Sequence, residues 1–185
     1  MLKEITAKEF TKIESLERAI YRECSFIQCE FSGKVFSNFE FLDCEFIDCN
    51  LSNVELAHTS LKTVSFSGSK LIGVQFHSVN PFLFKVKFNS CNLNLSSFYA
   101  LNLNKTKFRE CDIQEVDFTE TILTESLFES CNLSNAIFDR TNLSKADFRT
   151  ADDFNIDPTR NNIKKARFTR ENISGLVSSF GIVIS

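Results

Sequence analysis

Large apolar side chains recur at every fifth residue along most of the chain. Phe26, Phe31, Phe36, Phe41 and Phe46 open the series, and Leu51, Leu56, Leu61, Phe66, Leu71 and Phe76 continue it. After a slip of two residues it resumes at Leu83 and runs through Phe88, Leu93, Phe98, Leu103, Phe108, Ile113, Phe118, Leu123, Phe128, Leu133, Phe138, Leu143 and Phe148. Such a period fits neither a helix nor a flat strand. The chain must turn a corner after each short unit, and a repeat of this kind decides the architecture before local propensity does.

A second interval lies over the first. Cys24 and Cys44 are twenty apart, as are Cys29 and Cys49, and Cys91, Cys111 and Cys131 follow the same step. Twenty is four units of five, so four units close one coil and residues twenty apart stack on one face. The first face reads Phe26, Phe46, Phe66, Phe88, Phe108, Phe128, Phe148, and the second Phe31, Leu51, Leu71, Leu93, Ile113, Leu133. The third reads Phe36, Leu56, Phe76, Phe98, Phe118, Phe138, and the fourth Phe41, Leu61, Leu83, Leu103, Leu123, Leu143. This predicts an all-β, four-sided solenoid with alternating Phe-rich and Leu-rich faces and coils ~4.8 Å apart. The central residue and the small one two before it point inward. The two extra residues bulge within His77–Phe82, where Asn80-Pro81 fits a corner. Gly33, Gly68 and Gly73 lie two after a central residue, where the backbone turns.

Solenoid ends must be covered. Residues 1–14 are expected to form an N-terminal cap and residues 15–170 the repeats, with a loop over 153–162 where Asp153 breaks the frame. Residues 171–185 form the far end. Ile173, Leu176, Val177 and Phe180 follow at helical spacing, with Thr169 as N-cap and Gly181 as C-cap, before a terminal strand Ile182-Val183-Ile184. This element either covers the last coil or meets a second copy of the chain; both roles are open.

At 185 residues the chain suits one domain. No apolar run approaches the ~20 residues of a membrane span, and Met1–Ile5 lacks the apolar stretch of a secretory signal. The expectation is a soluble, cytoplasmic protein. Its seven cysteines are odd in number and read as small buried hydrophobes rather than disulfides or metal ligands. His58 and His77 fall at corner or outward sites. Without a cleft, a nucleophile motif or a phosphate loop, the sequence points to a non-enzymatic protein with no cofactor and no metal. The net charge is −3. Between residues 61 and 110 Glu110 stands alone against Lys62, Lys70, Lys85, Lys87, Lys105, Lys107 and Arg109. This basic belt lies between acidic ends; chance decoration of a solvated surface accounts for it as the simpler reading.

Units such as Ala146-Asp147-Phe148-Arg149-Thr150 and Cys131-Asn132-Leu133-Ser134-Asn135 resemble the pentapeptide-repeat family. That resemblance implies a right-handed quadrilateral β-helix. The stretch Asp153–Ile163 followed by the helix and terminal strand is similar to bacterial proteins that protect DNA gyrase, the quinolone-resistance pentapeptide proteins and the microcin B17 immunity protein. It implies a two-fold dimer through Ile173, Leu176, Val177, Phe180, Ile182 and Ile184. It also implies a protein partner, with gyrase as the candidate, and no direct contact with nucleic acid or membrane. Large projecting loops, present in several quinolone-resistance members, are absent. The group is also proposed to imitate DNA, but duplex of the rod's ~30–35 Å length carries on the order of twenty charges. Imitation would then use shape and local acidic patches at Glu30, Asp112, Glu115 and Asp117, beside the Asn80-Pro81-Phe82 corner. The other reading is an interaction scaffold for a different protein.

Overall fold

The computed structural model describes residues 2–182. It is a parallel β-solenoid of about six turns, and its register is the twenty-residue interval. On the fourth face the strands β1 (Glu4–Thr6), β3 (Ile20–Arg22) and β5 (Glu40–Leu42) pair in parallel. On the first face β2 (Glu9–Thr11), β4 (Ser25–Ile27) and β6 (Glu45–Ile47) do the same. β7 (Ser60–Ser67) and β8 (Asn80–Asn89) run continuously across the corner between these faces. β9 (Lys107–Arg109) and β10 (Leu127–Glu129) extend the first face toward the C-terminus. The other two faces are held by single-residue bridges, one per coil, such as Glu30↔Asn50 and Ser97↔Asp117.

The core follows from side-chain size. Phe rings stack along the first face from Phe10 to Phe168, with centroids 4.6 Å apart at Phe26–Phe46 and 5.4 Å apart at Phe148–Phe168. A second stack, Phe76–Phe98–Phe118–Phe138, fills the third face. The two stacks meet edge to face, as at Phe108–Phe118 with 6.0 Å between centroids. That is the arrangement an aromatic quadrupole favours. Leu on the second and fourth faces leaves room for it.

The corners carry the strain. The residue two after most central positions adopts left-handed backbone, and Gly is the minority there: Asn53, Asp43, Glu115, Lys105 and Arg140 all have φ between 51° and 59°. The spacing alone singles out only the three glycines at such corners. The left-handed conformation is mildly costly for any side chain and worst for a β-branched one; Thr63, at φ 58°, is in that class.

At the N-terminal end Ile5 and Phe10 continue the ladder, opposite Tyr21 and Phe26, through a shortened first coil. Two features differ from the expected register. The insertion begins within His77–Phe82 but extends past it to Leu83. Asn80 still pairs with Ser60, and Lys85 pairs with Lys62, so Pro81, Phe82 and Leu83 are the looped-out residues. Pro81 has no N–H to give the ladder, and Asn80 Oδ1 accepts the Phe82 N–H at 3.0 Å, which turns the chain outward. Leu83 is therefore exposed and Phe84 takes its inward place. The next corner is one residue short, because Val86 pairs directly with Val64 and nothing stands opposite Thr63. Finally, where Asp153 breaks the frame, Phe154 and Ile156 are buried instead, and pairing twenty apart resumes at Asn142↔Asn162 and Asp147↔Arg167.

The expected short C-terminal helix is present as two 3-10 turns, Ile173–Leu176 and Ser178–Phe180, ending at Gly181 with φ 63°. Thr169 Oγ1 accepts the Asn172 N–H at 3.3 Å, and Asn172 Oδ1 accepts the Thr169 N–H at 2.9 Å. The Asn172 amide then donates to the carbonyls of Phe148 and Ala151 at 2.8 and 3.2 Å, tying the element to the last coil.

Candidate functional site

All seven cysteines are buried and unpaired. Their inward track does more than fill space. Cys49, Ser69 and Cys131 donate to the carbonyls of Phe26, Phe46 and Phe108 at 3.3, 3.3 and 3.4 Å. In the other direction, Cys49 Sγ accepts the Cys29 N–H at 3.4 Å, and Ser69 Oγ accepts the Cys49 N–H at 3.0 Å. The inward thiol or hydroxyl thus satisfies backbone groups that burial would otherwise leave unpaired. Burial pushes the Cys44 and Cys49 thiols up to about 11 and about 12. Hydrogen bonding to Cys131 raises Cys111 to about 12, and hydrogen bonding to Cys111 raises Cys91 as well. Such thiols are poor nucleophiles and poor metal ligands.

The Asn or Asp before each central residue has an equally local role. Asn50, Asn92, Asp117, Asn132 and Asp147 each accept, on a side-chain oxygen, the N–H two residues on, at 2.9 to 3.2 Å. These are Asx turns, and they explain why Asn or Asp recurs at these corners. Glu30 does the same for Ser32 at 3.1 Å.

The expected partner surface does not gather into one patch. Glu30 and Asp112 share one bridged column, separated by Asn50, Lys70 and Asn92. Asp117 lies in the adjacent column, and Glu115 stands exposed at the corner between Asp112 and Asp117. Asp112 is also engaged, accepting from Asn94 at 2.9 Å and Gln114 at 2.8 Å. Asn80, Pro81 and Phe82 sit at a different corner, where the chain loops out.

At the C-terminal end the stripe of apolar residues divides. Leu176 packs on the core and Val177 is half-buried, while Ile173, Phe180 and Ile182 are exposed. The tighter 3-10 winding rotates successive residues further apart than an α-helix would. Ile182 lies outside any strand, and Ile184 lies outside the described residues. The same element borders a groove of about 650 Å³ with Asp152, Asp153, Glu171 and Asn172 among its lining. Among the described residues no group of His, Cys, Asp and Glu is placed to hold a metal ion, and no helix is long and apolar enough to cross a membrane.

The expectation places Leu83 inward on the fourth face and takes the lysines around it as surface decoration; the structure instead exposes Leu83. Leu83 and Phe82 are 64% and 66% exposed, beside a groove of about 700 Å³ whose charged lining is Lys85, Lys87, Lys105 and Lys107. The basic belt was the visible signal, but only the register brings these lysines together.

The pentapeptide-repeat region model matches residues 19–81 and 82–152. The chain belongs to the pentapeptide-repeat family. No curated protein sequence matches this member. Among solved structures it is similar to a trypsin-treated form of QnrB1, a plasmid-mediated fluoroquinolone resistance protein, at 17% identity and a TM-score of 0.50, covering 100% of this chain and 98% of that one. It also matches HetL, a pentapeptide-repeat protein involved in heterocyst differentiation regulation in the cyanobacterium Nostoc, at 16% identity and a TM-score of 0.38, covering 89% of this chain and 84% of that one. A thylakoid-lumen member from Arabidopsis thaliana matches at 20% identity and 0.27 over 66% of each chain. At these identities the likeness concerns the fold.

Proposed function

We propose that this protein is a non-enzymatic binding protein that protects a type II topoisomerase, DNA gyrase, from a poison. The observation that carries the reading is the whole-length correspondence with the QnrB1 rod, from the first coil to the terminal element. The resemblance of residues 153–163 and the C-terminal element to gyrase-protecting members points the same way. The arrangement suits such a role: reactive groups are buried, and the outer faces offer ordered columns of polar side chains at strand spacing. In this reading Ile173, Phe180 and Ile182 form the two-fold contact with a second copy, and Leu176 and Val177 seat the element on the rod. The protein acts in the cytoplasm, without a cofactor, by occupying the DNA-binding surface or by displacing the drug.

The basic belt favours a second reading, an interaction scaffold for a different protein. Lysines from residue 62 to residue 107 have no counterpart in a polyanion that imitates duplex DNA. Supercoiling by purified gyrase, with a quinolone or microcin B17 and with or without this protein, separates the two. Rescue of supercoiling at micromolar protein supports protection. Unchanged inhibition, with another bacterial protein retained on the immobilised rod, supports the scaffold.

A further inference from the structure

We propose that the corner formed by Pro81–Leu83 and the following lysines is a docking site for an acidic protein segment that also carries apolar side chains. Two local costs meet there. Lys62 and Lys85 are register partners on adjacent coils. Lys87 and Lys107 each stand one residue before the paired Phe88 and Phe108, so they are neighbours too. Like charges side by side on one face of a sheet are destabilising. Several cations elsewhere on the rod meet carboxylates of the adjacent coil, as in Arg109–Glu129 at 2.7 Å, Arg140–Glu120 at 2.9 Å and Lys145–Glu125 at 2.7 Å. Within this cluster Lys62 and Lys105 reach Glu40 and Glu125 at 3.6 Å, whereas Lys85, Lys87 and Lys107 have no ion-pair partner among the described residues.

The second cost is exposure of Phe82 and Leu83, two large apolar side chains side by side on a projecting turn. Leu83 also takes left-handed backbone, at φ 58°, as the corner residues of other coils do. Costs concentrated at one place on an otherwise regular repeat mark a site kept for something other than stability. The missing corner residue opposite Thr63 supplies the shape, since it leaves a notch in the ridge with Val86 at its floor. The recess on the N-terminal side of this strand is mixed, with Asp43 and Glu45 facing Lys85 and Lys87. The recess on its C-terminal side contains lysines as its only charged groups. Charge complementarity calls for carboxylates there, and the Phe82–Leu83 shelf calls for an apolar neighbour between them. The inference stands independently of the gyrase reading.

The test is fluorescence anisotropy with a labelled peptide alternating glutamate and leucine, titrated with the full chain at low salt. Saturable binding is expected, weakened about tenfold or more by Lys85→Glu with Lys87→Glu and by Phe82→Ser. A glutamate–serine peptide and a single-stranded oligonucleotide of equal charge should bind at least tenfold more weakly. The thermal midpoint of the Phe82→Ser and lysine variants should not fall below that of the parent, which separates lost docking from lost folding. No saturable binding of the glutamate–leucine peptide, binding unchanged by the substitutions, or tighter binding of the oligonucleotide would overturn the proposal.

Discussion

Replacing Phe108 by alanine tests the packing directly. Phe108 is fully buried, stacked between Phe88 at 5.3 Å and Phe128 at 4.9 Å, and met edge-on by Phe98 and Phe118 at 6.1 and 6.0 Å. The flanking coils are hydrogen-bonded at fixed pitch, as through Glu110 N–H to Glu129 O at 2.8 Å and Ser90 N–H to Arg109 O at 2.8 Å, so they cannot move together to close the void. The loss therefore belongs in the upper part of the usual Phe→Ala range, about 4 kcal/mol. Phe168 supplies the control. It ends the stack, half-buried, against Phe148 at 5.4 Å and a tilted Phe154 at 5.4 Å. Its loss should cost less than half as much. Urea denaturation followed by far-UV circular dichroism measures both. A solenoid is coupled chiefly between neighbouring coils, so the interior variant should also show a smaller denaturant slope as its two halves separate. Equal costs for the two variants, or a loss at Phe108 under about 1 kcal/mol, would refute the packing argument.

Other expectations follow from the same geometry. Cys49→Ala removes both the donor to Phe26 and the acceptor for Cys29, and should cost about 1–3 kcal/mol. Cys49→Ser should recover most of that in the same urea titration. The raised Cys44, Cys49, Cys91 and Cys111 thiols make stability fall in alkali. The unfolded chain ionises them near ~8.5 while the folded chain holds the protons. Their contribution is thus complete below that pH and is lost at up to ~1.4 kcal/mol per pH unit for each thiol as pH climbs toward the folded values. A urea midpoint unchanged between about pH 8 and pH 10.5 would contradict this. Thr63→Asn relieves a β-branched residue from left-handed backbone and should raise stability by about 0.5–1 kcal/mol, read from the thermal midpoint.

The inward side chains were legible because the interior imposes a strict rule: a ring or leucine every fifth residue and a small side chain two before it. The twenty-residue cysteine interval gave the coil, and Phe76, Phe98, Phe118 and Phe138 stack as that interval requires. Spacing alone could not locate the slip. Leu83 and Phe84 are equally apolar neighbours, and the choice between them rests on Asn80 turning the chain and Pro81 lacking an N–H. The role of the cysteines as partners for buried backbone groups was also out of reach, because it depends on which corner carbonyls lack an N–H. On the outer surface no comparable rule operates. Asp112 and Asp117 read as a free acidic patch, yet their oxygens are largely engaged by Asn94, Gln114 and the Thr119 N–H. The lysines around Phe82 come together only through pairing across coils.

We propose that this rod works by binding a type II topoisomerase with its outer surface. Gyrase supercoiling in the presence of a quinolone or microcin B17 tests it most directly. Added protein at micromolar concentration should restore supercoiling, with purified gyrase retained on the immobilised rod. Undiminished inhibition, together with no retention of either gyrase subunit, would contradict it.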